Sequence, residues 1–211
     1  MTLVSLIASG QGNAVLMEDT YLTISEKNIG EGFYSEKRSK FLAFAHHVET
    51  ADEAMDIVTG YRKKYYDARH CCYAYMLGAD RSEFRANDDG EPSSTAGKPI
   101  LGQINSHGLT NILIVVIRYY GGVNLGTGGL IVAYRSAAAD AIDHSDVEER
   151  LVEEVITYDF TYPMMNGVMR VVKDMQPRIV SQNFDTSCEI VLAIRKSKAG
   201  ELSDRLAKLS F

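Results

Sequence analysis

Two short stretches concentrate the residue types that bind or transform ligands. The first is Arg118-Tyr119-Tyr120-Gly121-Gly122-Val123-Asn124-Leu125-Gly126-Thr127-Gly128-Gly129. It follows the apolar run Ile112–Ile117 and precedes a pattern of helical period. A strand feeding a glycine-rich turn into a helix presents free backbone N–H groups and the positive end of the helix dipole, a setting that favours anions. Glycines let a ligand approach the backbone closely. Arg118 adds a charged donor for phosphate, and Tyr119 and Tyr120 add rings on which a base can stack. As a ligand site, the stretch holds a phosphate or a nucleic-acid backbone at Arg118, the two tyrosines, Asn124, Thr127 and the glycines. As architecture, it makes a tight turn and lets a strand and a helix pack closely. It has neither the Gly-Lys-Ser/Thr of a phosphate-binding P-loop nor a dinucleotide fingerprint.

The second stretch is Asp88-Asp89-Gly90-Glu91-Pro92-Ser93-Ser94-Thr95-Ala96-Gly97-Lys98-Pro99. Its three carboxylates could hold a hard cation through oxygen ligands, although they lack the spacing of a calcium loop. The residues better suit an acidic turn that caps the next helix, about Thr95–Ser106, with Ser94 or Thr95 as the cap. Lys98 adds a cation for an anionic ligand. His70, Cys71, Cys72 and His107 do not have zinc-ligand spacing. Adjacent cysteines in a strand also point to opposite faces. The sequence therefore predicts no metal and no cofactor.

The elements that must position these stretches follow from periodicity. Residues 20–25 and 31–48 read as antiparallel strands. Phe41, Ala43 and Ala45 alternate there with Leu42, Phe44 and His46, which predicts that one parity, of either set, faces a core. Thr50 and Glu53 form a capping box. Ala54, Ile57, Val58, Tyr61 and Tyr65 then make one apolar stripe of helical spacing. His70–Leu77 reads as a strand, and Asp80–Glu91 as a polar turn region. Ile112–Ile117 reads as a central strand covered on both faces. The helix after the glycines buries Leu130, Tyr134, Ala137, Ala138 and Ala141.

Charged residues from Asp143 to Arg150 suggest a boundary. Beyond it the pattern is β-α-β-β-α, with a hairpin around Asp185-Thr186. These stripes are all buried at once by an antiparallel sheet with helices on one face. The expected organisation is an N-terminal extension at 1–16 outside the fold, a domain at 17–145 and a second at 148–211. The fold class is α+β.

Bulk properties narrow the function. The chain has 211 residues, 45% of them hydrophobic and 24% charged, an ordinary globular balance. Its formal net charge of −6 argues against non-specific nucleic-acid binding, so any RNA contact must use a local patch. No stretch reaches the roughly 18 apolar residues of a membrane span. Three cysteines, two of them adjacent, make no disulfide framework and fit a reducing cytoplasm.

Together these segments resemble the YigZ/IMPACT family. Asp88-Asp89-Gly90-Glu91-Pro92 followed by Thr95-Ala96-Gly97-Lys98-Pro99-Ile100-Leu101 is similar to one family signature, with Ser94 where glycine is usual. Arg118-Tyr119-Tyr120-Gly121-Gly122-Val123-Asn124-Leu125-Gly126 is similar to a second. His70 with Ala74-Tyr75 is similar to an upstream element. The resemblance implies an N-terminal α/β sandwich like that of a small-subunit ribosomal protein and elongation-factor domain IV. It also implies a ferredoxin-like C-terminal domain. It points to translational control, with an RNA, ribosome or translation-factor partner and no established reaction. His70, Asp88, Asp89, Glu91 and Thr95 would support the Arg118 loop. The competing reading is an enzyme acting on a phosphorylated small molecule, with the carboxylates holding a divalent ion. The cysteine pattern gives the first test: alkylation without prior reduction should modify all three thiols in the mass spectrum. A stoichiometric bridge from Cys188 to Cys71 or Cys72 would overturn the reducing-compartment reading.

Overall fold

The computed structural model describes residues 19–184 and 187–210. The expected extension at 1–16 and the hairpin turn at Asp185-Thr186 lie outside the described residues. The fold is α+β, and the chain divides into two compact units between Val152 and Glu153.

The first unit is built on a five-stranded antiparallel sheet. Its strands are β2 (Gly30–Glu36), β3 (Ser39–His47), β4 (His70–Leu77), β5 (Glu83–Asn87) and β6 (Ile112–Tyr119), in the order β2-β3-β6-β4-β5. Helices α2 (Gly97–Ser106) and α3 (Gly126–Asp143) cover one face, and α1 (Ala51–Lys64) covers part of the other. Both parities of β3 therefore have a core to enter, where the sequence reading expected one, because helices cover both faces of the sheet. Phe41, Ala43 and Ala45 join the α2–α3 core, and Phe44 and Leu42 join the α1 core. The central position of β6 explains its unbroken apolar run: Ile112 to Ile117 are all fully buried.

The capping box forms at the start of α1. The Glu53 N–H donates to Thr50 Oγ1 at 3.2 Å, while the Glu53 carboxylate accepts from the Glu49 N–H at 2.9 Å. Five of the residues assigned to the buried face of α3, Leu130, Tyr134, Ala137, Ala138 and Ala141, are all buried.

Two elements differ from the sequence reading. Glu83–Asn87 lies in a region read as polar turn, yet it is the edge strand β5, paired from Tyr73↔Asn87 to Leu77↔Glu83. An exposed edge strand needs no apolar alternation, so periodicity could not reveal it. Val147–Leu151 falls mainly in the charged segment read as a boundary. It is strand β7, paired antiparallel with β1 (Thr20–Ile24) from Thr20↔Leu151 to Ile24↔Val147. Its charges have local partners: Arg150 bonds Glu148 at 2.7 Å and Glu26 at 3.0 Å.

The second unit contains β8 (Glu153–Phe160), α4 (Met165–Met175), β9 (Arg178–Phe184), β10 (Cys188–Arg195) and α5 (Lys196–Ala207). The sheet order is β8-β10-β9, and both pairings are antiparallel. Val168, Val171 and Val172 from α4 and Ala199, Leu202 and Leu206 from α5 share one core with β10. Asp19 accepts from the Ser197 N–H at 2.9 Å and so satisfies a free donor at the start of α5. Hydrogen bonding by the Ser197 side chain, ahead of other causes, holds the Asp19 carboxyl below its usual range.

Gly32 exemplifies close packing between strand and helix. A Cβ there would lie 2.3 Å from Ala141 N and 2.6 Å from Ala137 O, both backbone atoms of α3. Gly32→Ala should lower stability by about 1–3 kcal/mol. A Cβ at Gly60, on the exposed side of α1, would meet nothing within 4 Å. Gly60→Ala should raise stability by up to about 1 kcal/mol. Chemical denaturation measures both, and equal shifts of one sign would contradict the packing argument.

Candidate functional site

β6 ends at Tyr119, the chain turns through Gly121 and Gly122, and α3 begins at Gly126. Gly126 has φ +72°, in the left-handed region that glycine tolerates. This turn, the start of β4 and the Glu91-Pro92 segment enclose a cleft of about 520 Å³. The cleft thus brings together the two chemistry-bearing stretches of the sequence, with His70 between them.

Arg118 stands at its base and is 5% exposed. Its Nη1 donates to Glu91 Oε1 at 2.6 Å, and Glu91 is itself only 8% exposed. Tyr134, reaching from α3, donates its hydroxyl to the same carboxylate at 2.8 Å. Burial, ahead of neighbouring Cys72 and Glu91, pushes the Tyr134 hydroxyl far up and keeps it a donor. The guanidinium carbon lies 5.5 Å from the ring centres of both Phe41 and Tyr120. The Nε of Arg118 is buried with no hydrogen-bond partner among the described residues.

The acidic stretch is largely consumed by the fold. Asp88 accepts from the N–H groups of Ser94, Ala96 and Gly97 at 2.8, 3.0 and 2.8 Å. It is therefore Asp88, and not Ser94 or Thr95, that caps α2. Thr95 turns its hydroxyl to the Pro92 carbonyl at 2.6 Å. Asp89 accepts from Arg62 Nη2 and from the Cys71 N–H, both at 2.6 Å. With Glu91 bound to Arg118, each of the three carboxylates already has protein donors, an arrangement opposed to a divalent ion shared among them. Elsewhere, Glu26, His47 and Glu49 are close enough together to hold a cation. Arg150 already fills that role, 3.0 Å from Glu26 and 3.2 Å from His47 Nε2.

The other sequence candidates separate in space. Tyr120, 46% exposed, lines the cleft with Asn124, Gly126 and Thr127. Tyr119 packs toward the α1 core and donates to Asp67 at 2.9 Å. The Gly121 N–H donates to Ser39 Oγ at 3.1 Å, and Gly122 lies beside Arg38. Gly128 and Gly129 line a different surface cavity, with Tyr34 and Lys37. Lys98 lines a third, with Arg135.

Sequence reasoning did not assign Arg69 or Leu125 to the cleft, and it read Tyr134 only as core. The helical stripe correctly signals burial of Tyr134. Only its hydroxyl, which needs a partner once buried, hints at a polar network.

The family model described as the Impact N-terminal domain matches residues 37–142. The chain belongs to the IMPACT family. IMPACT family member YigZ of Escherichia coli (strain K12) is 32% identical, over 82% of this chain and 86% of the relative. IMPACT family member YvyE of Bacillus subtilis (strain 168) is 29% identical, over 92% and 88%. A crystal structure described as that of a hypothetical protein matches at 30% identity with a TM-score of 0.71, covering 92% of this chain and 94% of that one. The IMPACT domain match spans both signature stretches, and hence the whole cleft.

The Arg118–Glu91 pair generates the prediction here. Glu91→Gln preserves shape but leaves a buried guanidinium without its counter-charge, and should cost about 3–5 kcal/mol. Adding Arg118→Met to that variant should regain most of the loss, because the unpaired charge is gone. Chemical denaturation reads both. A cost for Glu91→Gln below about 1 kcal/mol, as for an exposed pair, would refute the buried-pair account.

Proposed function

We propose that this IMPACT family protein is a translation-associated, non-enzymatic module that binds RNA by seating a phosphate in the cleft at the start of α3. The observation that carries the reading is the state of that helix end. α3 has 18 residues, no side chain capping its N-terminus and no acidic residue in its first turn. The N-terminus of α2, by contrast, is closed by Asp88. The open end of α3 therefore keeps its free N–H groups and positive dipole for an external anion. Arg118 lines the same cleft, held in place by Glu91. Tyr120 offers an exposed ring beside it for a base. Family membership supports the translational part of the reading.

Arg118 enters this proposal as a fixed donor, because Glu91 balances its charge. The sequence reading gave it the role of a free cation for phosphate. A buried pair with a carboxylate of the Asp88 stretch is instead the arrangement expected of a packing motif, and Arg118 serves the fold in that way. Positive potential at the site comes from the helix end and from Arg69 at the cleft rim. The net charge of −6 then limits binding to this local feature and makes it sensitive to salt. The enzyme reading loses its divalent ion, since the carboxylates that would hold it are occupied by the fold. Among the described residues no helix is long and apolar enough to cross a membrane.

Thr127→Asp tests the proposal without disturbing the buried pair. An acid in the first turn of α3 stabilises the helix by about 0.3–1 kcal/mol but occupies the potential meant for phosphate. RNA affinity, read by fluorescence anisotropy at about 50 mM salt, should fall on the order of tenfold while the melting temperature holds or rises. If the unmodified protein has no detectable RNA affinity under those conditions, the reading is wrong.

A further inference from the structure

We propose that His70 recognises the ribose 2′-hydroxyl and so makes the cleft select RNA over DNA, an inference that rests on the phosphate-binding reading above.

His70 opens β4 and lines the same cleft as Tyr120 and Thr127. Its Nδ1 lies 2.7 Å from the carbonyl oxygen of Asp89. A carbonyl oxygen only accepts, so Nδ1 carries a proton, and of the two neutral tautomers this contact selects the one whose Nε2 is an acceptor. The carboxylate beside its Nε2 is Glu91, whose Oε1 lies 3.8 Å away, beyond hydrogen-bonding distance. That oxygen is an acceptor too, and it already receives Arg118 and Tyr134. Nε2 thus faces an oxygen with no proton to offer, and its natural complement is an O–H or N–H from a ligand.

Apart from Glu91 and Asn124, whose oxygens already accept from protein donors, the other polar groups of the cleft are of the opposite kind. Arg69, Arg118 and the free N–H groups of α3 all donate. They suit phosphate oxygens. The side-chain oxygen of Asn124, a second acceptor at the rim, receives the Tyr120 hydroxyl at 3.2 Å. The His70 acceptor therefore calls for a donor that sits next to a phosphate. In an RNA strand each phosphate is flanked by a 2′-hydroxyl, which can donate, and a DNA strand has none. A phosphate at the α3 end with its ribose turned toward β4 satisfies both sets of groups at once.

The test uses the full chain and three 5′-fluorescein-labelled ten-residue oligouridylates: ribose, 2′-O-methyl and 2′-deoxy. Fluorescence anisotropy at one salt concentration compares them. The unmodified protein should bind the ribose strand about tenfold more tightly than either analogue, the worth of one well-placed hydrogen bond. His70→Asn keeps an N–H for the Asp89 carbonyl but presents no acceptor where Nε2 stood. In that variant the affinity for the ribose strand should drop to that for the deoxy strand. His70→Gln, which can place an amide oxygen near the Nε2 position, should regain part of the preference. That partial rescue also guards against a His70→Asn variant that fails to fold. Equal binding of all three strands by the unmodified protein overturns the role of His70 while leaving the phosphate site intact. An RNA preference that survives His70→Asn overturns it as well. No binding of any strand removes the proposed function, and this inference with it.

Discussion

A guanidinium and a carboxylate, buried together 2.6 Å apart, tie the first unit into one piece. Arg118 comes from the end of the central strand, Glu91 from the segment before α2, and Tyr134 from the middle of α3. Removing two charges from water costs several kcal/mol for each, and attraction offsets this only when the geometry and further hydrogen bonds are good. Those conditions are met by the short contact, the Tyr134 donor and the rings of Phe41 and Tyr120 beside the guanidinium. The pair also sets the character of the cleft. It turns a mobile cation into a fixed neutral pair, so an anion there is drawn mainly by the backbone of α3.

Much of the fold could be read from the sequence because burial leaves a periodic trace. The capped stripe of α1, the apolar run of β6 and the alanine-rich face of α3 each appear in the structure near their expected bounds. β5 and β7 were not legible for one shared reason. Both keep much of their side-chain surface in solvent, and their existence depends on backbone pairing with β4 and β1. A strand stabilised mainly by its neighbour's hydrogen bonds places little demand on its own side chains.

The site was legible by location and not by role. Local sequence places His70, Asp88, Asp89, Glu91 and Arg118 in stretches rich in polar chemistry. It cannot show that Asp88 turns to the N–H groups of Ala96 and Gly97, that Asp89 reaches Arg62, or that Glu91 is the residue left for Arg118. The distinction between a capping carboxylate and an ion-pairing one is made by contacts up to 27 residues apart in the chain. The proton at His70 Nδ1 is held by the backbone carbonyl of Asp89, which no residue type announces.

The order of the strands has a consequence for the protein's own synthesis. In the arrangement β2-β3-β6-β4-β5, the last strand to be made is the middle one. Until β6 emerges, β3 and β4 have no partner on their inner edges, and neither sheet face has its full complement of strands on which to build a core. The growing chain therefore carries two unpaired apolar edges across the span from β4 to β6, and unpaired edges of this kind are prone to wrong pairing. The arrival of Ile112–Tyr119 closes both at once. Because β6 also carries Arg118, the same event delivers the guanidinium to a waiting Glu91, so the sheet is completed and the buried pair formed together, before Tyr134 and the rest of α3 follow.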